Sequence, residues 1–241
     1  MDVGMLPIVI ATSNRHKLVE LRTLLAIEGI CWYSLSDFPG LPPIKERGRT
    51  FDANATTKAR TVARYTGMLA LADDSGLEVD ALGGKPGVLS ARFCGRHGDD
   101  QANNVTLLSS LDAVPLSHRR ARYRCCLALA SPSRLIALTQ GLWEGLIALR
   151  PAGRGGFGYD PLFFIPRFGK TVGQMPARVK RRFSHRAFAA RGMRPVLRQI
   201  LRHSKDSCQN RPGPDQNHSL SNAIGLSLNC GFGSLSVPVS R

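Results

Sequence analysis

Acid is scarce in this sequence. Its 241 residues carry 33 lysines and arginines against 17 aspartates and glutamates, a formal net charge of +16. The shortage is greatest between 150 and 202. There Arg150, Arg154, Arg167, Lys170, Arg178, Lys180, Arg181, Arg182, Arg186, Arg191, Arg194, Arg198 and Arg202 stand against the single acid Asp160. A field of that sign draws in polyanions, whether nucleotide or nucleic acid. For most of these arginines a solvated surface is the simpler reading. Long apolar runs are missing too. The run Leu6–Ala11 is far too short to span a bilayer. The start of the chain lacks the charged segment and small-residue cleavage site of a secretory leader, so a cytoplasmic protein is expected. Cysteine occurs at Cys31, Cys94, Cys125, Cys126, Cys208 and Cys230, with no C-x-x-C pair and no His/Cys cluster at zinc-ligand spacing. Reduced interior thiols are expected instead. There is no internal repeat. Apolar residues make up 43% of the chain, ordinary for a globular protein, and the length suits one good core or two small lobes.

Glycine is missing where a phosphate loop would need it. The stretch "PIVIATSNRHKLVELRTLLA" reads as a buried strand over Pro7–Ala11, a polar loop and an amphipathic helix over His16–Ala26. In open α/β sheets, ligands sit beyond the carboxyl ends of the strands, which is where Thr12 to Lys17 falls. Backbone amides and the helix dipole favour an anion there. Without glycines the backbone cannot wrap a phosphate, so the side chains of Thr12, Asn14 and Lys17 would do more. The alternative is a plain helix cap by Ser13 or Asn14 with a solvated Lys17.

Further along, strand and helix signals alternate, predicting an α/β fold with a mixed sheet. Thr50 is a candidate cap for a helix running to Tyr65, with Asn54 and Lys58 along the edge of its apolar stripe. "GMLALADDSGLEVDALGG" reads as a strand, an acidic turn and a glycine-rich loop. "DDQANNVTLLSSL" is a third helix. "RARYRCCLALASP" and "RLIALTQGLWEGLIAL" are strands joined at Ser131–Ser133, with Cys125 and Cys126 on opposite faces. "RFSHRAFAARGMRPVLRQILRH" is a last helix that Gly192 and Pro195 should bend or split. After His203 the chain turns rich in Ser, Asn, Gly and Pro, and 203–241 is expected to be a disordered extension of a domain over 1–202.

Three further stretches can carry chemistry. In "ADDSG", Asp73 and Asp74 are adjacent on a strand and point to opposite faces, so one can face a cleft near Lys17. A carboxylate beside a phosphate site needs a cation between them, and magnesium serves because it shares carboxylate and phosphate oxygens. The same carboxylate could deprotonate a water. The alternative is a turn in which an aspartate bonds its own backbone. "RPAGRGGFGYDPLF" presents Phe157 and Tyr159 beside Asp160, either an aromatic platform for a base or a tight turn with core aromatics. "KRRFSHR" offers Lys180, His185 and Arg186 at the head of a helix, where Ser184 alone is an N-cap.

The order and spacing of "ATSNRHKLVELRTLL", "ERGRTFDANATTKAR", "LADDSGLEVDALGGKPGVLSARF", "GGFGYDPLFF" and "KRRFSHRA" resemble the inosine triphosphate pyrophosphatase family (RdgB-like enzymes) over roughly residues 6–202. The resemblance implies an elongated α/β protein, with two lobes around a long mixed sheet and an active-site cleft between them. It implies a homodimer that uses magnesium to cleave dITP, ITP or XTP between the α- and β-phosphates. Carried over to this chain, Thr12, Ser13, Asn14, Arg15, His16 and Lys17 would hold the triphosphate, and Asn54 and Lys58 would face it. Glu46 and Asp74 would hold the metal, with Asp74 also the general base and Ser75 a substrate contact. Phe157, Gly158, Tyr159 and Asp160 would line the base and sugar pocket, and Lys180, His185 and Arg186 would complete the substrate contacts.

The chain departs from the family at Ser13, where glycine is frequent, and in the basic run "QMPARV" before Lys180. Two other readings stand beside this one. A Maf-like nucleotide pyrophosphatase would prefer dTTP and UTP. A basic nucleic-acid-binding protein would have no use for Glu46, Asp73 and Asp74 near an anion site.

Overall fold

The structure, a computed structural model, describes residues 5–209 of the chain. The expected disordered extension lies outside these residues, apart from the end of the last helix. Among the described residues no helix is long and apolar enough to cross a membrane.

One seven-stranded mixed sheet organises the chain. Its strands are β1 (Leu6–Ala11), β2 (Ile30–Ser34), β3 (Leu69–Val79), β4 (Arg120–Ala130), β5 (Leu135–Ile147), β6 (Phe163–Ile165) and β7 (Lys170–Thr171), in the order β2-β1-β3-β4-β5-β6-β7. β1 is parallel to both its neighbours, and every pairing from β3 to β7 is antiparallel. The helices are α1 (Arg15–Leu24), α2 (Phe51–Thr66), α3 (Asp100–Ser110), α4 (Ala177–Phe183) and α5 (His185–Gln209).

The period-2 alternation of the strands decides which helix covers which face. Ile8, Ile10, Leu71, Cys125, Leu127 and Leu129 face α1 and α5, where they meet Leu21, Leu25, Ala189, Met193 and Leu197. The intervening Val9, Ala11, Ala70, Ala72, Cys126, Ala128 and Ala130 face α2. On that side both partners are small, since α2 offers Ala55, Ala59 and Ala63. Cys125 and Cys126 do point to opposite faces, and the four cysteines with described side chains are free thiols. A third core gathers Leu77, Val79, Tyr123, Trp143, Phe163 and Ile165 at the other end of the sheet.

The two-lobed arrangement is therefore written along β3. Residues up to Ala72 belong to the first two cores and Leu77 and Val79 to the third. Between them lies the polar run Asp73, Asp74, Ser75. It is not the turn expected from "DDSG". It stays extended, with Asp73 opposite Leu127 and Asp74 opposite Cys126. Ten residues of β4, Ala121 to Ala130, supply a continuous ladder, and tertiary pairing overrides the local turn signal. Gly76 continues the strand opposite Arg124, and the position requires glycine because a Cβ there would come to 2.5 Å from the Gly87 carbonyl oxygen.

The last helix also differs from expectation. The break falls at Ser184, between α4 and α5, not at Gly192 or Pro195. Ser184 has extended dihedrals, and its hydroxyl accepts the Ala187 amide at 3.2 Å, an N-cap. Pro195 lies within α5 on an exposed position, where water can serve the carbonyl that loses its partner, while Met193 and Leu197 pack inward. Strand β2 gave no clear alternating signal, since three of its five residues are only partly buried.

Candidate active site

The first loop is a cap as well as a candidate anion cradle. Asn14 caps α1 by accepting the Lys17 amide at 3.1 Å, and Thr12 Oγ1 accepts the Asn14 amide at 3.2 Å. Ser13, Arg15 and His16 are exposed, and the first amides of α1 open toward solvent, as at any helix start. Lys17 is not solvated as the plain-cap alternative required. Its Nζ lies 2.6 Å from Asp73 Oδ1.

Asp73 is the centre of a closed network on the α1/α5 face. Its carboxylate takes Lys17, Arg186 Nε at 2.8 Å, Ser75 Oγ at 2.8 Å and the Cys125 thiol at 3.2 Å. Burial by itself would raise its pKa, but the charges of Arg186 and Lys17 prevail and hold it well below the usual carboxylate range. Arg186 is fully committed. Its remaining nitrogens reach Ser75 Oγ at 2.8 Å and Glu20. Burial would lower the Arg186 pKa, yet Asp73 and Glu20 raise it. Glu20 also pairs with Lys180 at 2.9 Å, and Lys180 in turn reaches Asp160 at 2.6 Å. Burial opposes the ionisation of Glu20, but Arg186 and Lys180 outweigh it and lower the pKa. Sequence reasoning missed Glu20. Its signal was present: it follows Lys17 by one helical turn on α1, so both side chains emerge on one side.

Asp74, one residue on, faces α2 and is bonded more sparsely. Its Oδ1 accepts Lys58 Nζ at 2.8 Å, while Oδ2 is buried with no hydrogen-bond partner. Burial raises the Asp74 pKa, and the opposing pull of Lys58 does not cancel it. Glu46 Oε1 comes to 3.5 Å from the same Lys58 Nζ and is about a third exposed. Burial would lower the Lys58 pKa, but Asp74 and Glu46 raise it. Asn54, expected along the stripe's edge, is fully interior. Its Oδ1 accepts the Gly48 amide at 2.8 Å, which fixes the loop that carries Glu46.

The aromatic loop closes over this assembly. His16 stacks on Phe157 with ring centroids 5.0 Å apart, and Lys180 Nζ lies 4.2 Å from the Phe157 centroid. Asp160 shapes the loop by accepting the Phe157 amide at 2.9 Å. Burial raises its pKa despite Lys180. Gly158 has φ 62°, a conformation that favours glycine, and is tied to α3 through Asp100 at 2.7 Å and Asn104 at 3.0 Å. Tyr159 lies apart from the charged cluster. It is buried in the third core, with its hydroxyl on the Ser90 carbonyl at 2.8 Å. His185 stacks on Tyr123 at 4.6 Å, and its Nδ1 is buried without a partner. Burial, helped by Arg186 and Lys180, pushes its pKa well below the usual histidine value, so the ring is neutral.

Two carboxylates converging on one cation, with a buried carboxylate oxygen left over, suit a hard divalent ion that takes few protein ligands and keeps waters. Among the described residues no group of three or more His, Cys, Asp or Glu could hold a metal, so any ion there would rest on Glu46 and Asp74 with substrate and water.

A mixed α/β sheet with a basic helix start, a paired-aspartate strand and a lysine-braced carboxylate pair meeting at one step of β3 suits a phosphate-handling class of protein. The model of the Ham1 family matches residues 8–196; the chain belongs to that family. A dITP/XTP pyrophosphatase of Desulforamulus reducens is 46% identical over 198 residues, covering 82% of this chain and 98% of that protein. Another, of Geobacter sulfurreducens, is 48% identical over 182 residues, 76% of this chain and 92% of its own length. Among solved structures, a HAM1 protein from Coxiella burnetii has a TM-score of 0.74 at 39% identity, covering 81% of this chain and all of that one. A nucleoside-triphosphatase, dITP/XTP pyrophosphatase, from Mycobacterium abscessus has a TM-score of 0.63 at 39% identity, covering 81% of this chain and 98% of the other.

Proposed function

We propose that this chain hydrolyses non-standard purine nucleoside triphosphates, such as dITP, ITP and XTP, to the monophosphate and pyrophosphate, and so cleanses the nucleotide pool. The observation that carries the reading is the asymmetry of the aspartate pair. Asp74 keeps a partnerless oxygen and a raised pKa beside Lys58 and Glu46, while its neighbour Asp73 is saturated with cations. The names of the related dITP/XTP pyrophosphatases point to the same reaction.

In this reading Thr12 to Lys17 and the start of α1 receive the phosphate chain, with Lys17, Lys58 and Lys180 offsetting its charge. Water attacks the α-phosphorus, its proton passes to Asp74 Oδ2, the α–β bridging bond breaks, and pyrophosphate leaves with the electron pair. Glu46 and Asp74 would hold magnesium, which when bound would screen the phosphates and polarise the phosphorus. Asn54 serves by fixing the Glu46 loop. Phe157 provides a face for the base, and Gly158 and Asp160 set its loop.

Hypoxanthine and xanthine present an oxygen at position 6, an acceptor, where adenine presents an amino donor. Arg186 is occupied by Asp73, Glu20 and Ser75, so neutral His185 is the better placed of the two to read that atom. A donor left unpaired against adenine can reject it by a factor on the order of 10⁴. A homodimer in the cytoplasm belongs to the same proposal.

The experiment is a nucleotide panel with magnesium, scored for pyrophosphate. dITP should yield dIMP and pyrophosphate, with little turnover of dATP. Stepwise release of single phosphates would overturn the reading, and preference for dTTP and UTP would transfer it to the Maf-like alternative.

A further inference from the structure

Of the thirteen cations between 150 and 202, the cleft uses Lys180 and Arg186. Five others come together elsewhere. Arg178, Arg181, Arg182, Arg191 and Arg194 ring a surface depression of about 310 Å³ between α4, α5 and the end of α1, which is also lined by Leu24 and two alanines of α5. Among the described residues none of the five forms an ion pair with a carboxylate.

Their arrangement goes beyond a merely solvated basic face. Arg194 Nε is buried with no hydrogen-bond partner, a donor without an acceptor in a place where one is costly to leave unpaired. Arg191 is held in place by the Arg182 carbonyl at 2.7 Å and the Ala187 carbonyl at 3.3 Å, so it bridges α4 and α5. Five guanidinium groups so close together repel one another unless an anion lies among them. Guanidinium is also the side chain best matched to phosphate oxygens.

We infer that this depression is a binding site for a condensed phosphate chain such as pyrophosphate or triphosphate, separate from the cleft. Nucleic acid fits it less well. Strand-binding surfaces spread cations along a groove with open aromatic faces, whereas here the cations surround one depression. The nearest rings are already covered, Phe188 by Arg191 at 4.2 Å and Phe183 by Arg182 at 5.3 Å. α4 joins the two sites, because Lys180 faces the cleft from the same helix whose Arg178, Arg181 and Arg182 face the depression.

The test is calorimetric titration of the full-length protein with inorganic triphosphate at low salt, with chelator present. The wild type should show two binding events. The Arg178→Gln/Arg181→Gln protein, altered at two exposed positions, should lose one of them, with affinity falling at least about tenfold, and should keep its dITP hydrolysis. The Lys17→Ala/Lys58→Ala protein should lose hydrolysis and keep the event at the depression. If the Gln pair proves unstable by circular dichroism, Arg181→Glu alone should produce the same loss. A single event abolished by the lysine changes, or an isotherm unaltered by the arginine changes, overturns the inference. So does a short single-stranded DNA that displaces triphosphate from the Lys17→Ala/Lys58→Ala protein and binds more tightly, which would make the depression a nucleic-acid contact. Failure of dITP hydrolysis in the wild type would count against the proposed reaction and leave this binding result readable.

Discussion

The two sides of β3 at Asp73 and Asp74 differ more than two neighbouring residues of one type would suggest. On the α1/α5 side, Asp73 is met by Lys17, Arg186, Ser75 and Cys125, and Glu20 extends the network to Lys180. On the α2 side, Asp74 has one lysine and an oxygen with no partner. Strand geometry puts the residues on opposite faces, and the number of cations on each face then sets opposite pKa directions. A saturated carboxylate organises its surroundings; an unsaturated one is free to take a proton or a metal.

The comparison breaks most sharply at Asp74. Asp74→Asn should lower kcat by roughly 10³-fold with substrate still bound, as measured by steady-state rates and nucleotide binding; a near-normal rate would remove Asp74 from its role. Asp73→Asn should act on the fold instead. Stripping Lys17 and Arg186 of a shared buried partner should cost about 3–5 kcal/mol, read from denaturant unfolding. A variant of unchanged stability would mean the network is idle.

Acid should separate the two sides again. The pKa values of Asp73 and Glu20 are lowered by folding, so their stabilisation is complete above the unfolded carboxylate values and is lost as pH falls through the folded ones. Asp74, with its raised value, gains from protonation in the same range. Stability should therefore fall on acidification below about pH 4, less steeply in Asp73→Asn. The smallest effect belongs to the loop above both sides. Phe157→Ala should weaken nucleotide binding by about 1–3 kcal/mol, the range of a base–aromatic stack, seen in KM more than in kcat.

Much of this was legible in the sequence. The alternation around Cys125 and Cys126, the Asn14 and Ser184 caps, the α2 stripe and the strand pair joined at Ser131–Ser133 all follow from local periodicity and capping chemistry. The structure departs where a long-range partner decides. "DDSG" has the composition of a turn, and β4 holds it straight. Helical spacing puts Asn54 along the edge of the α2 stripe, and only the fold shows that its Oδ1 takes the Gly48 amide. Glu20 stands one turn from Lys17, but its partners Lys180 and Arg186 lie far along the chain. Adjacency revealed that Asp73 and Asp74 part ways; it could not tell which of them the cations would saturate.

The measurement closest to that division is a carboxyl-carbon NMR titration of the magnesium-free protein labelled at aspartate, with Asp73→Asn and Asp74→Asn used for assignment. The Asp74 signal should titrate above the ordinary aspartate value of about 3.9, and the Asp73 signal should stay ionised down to the acid unfolding transition. The reverse order, with Asp73 taking up its proton first, would contradict the account.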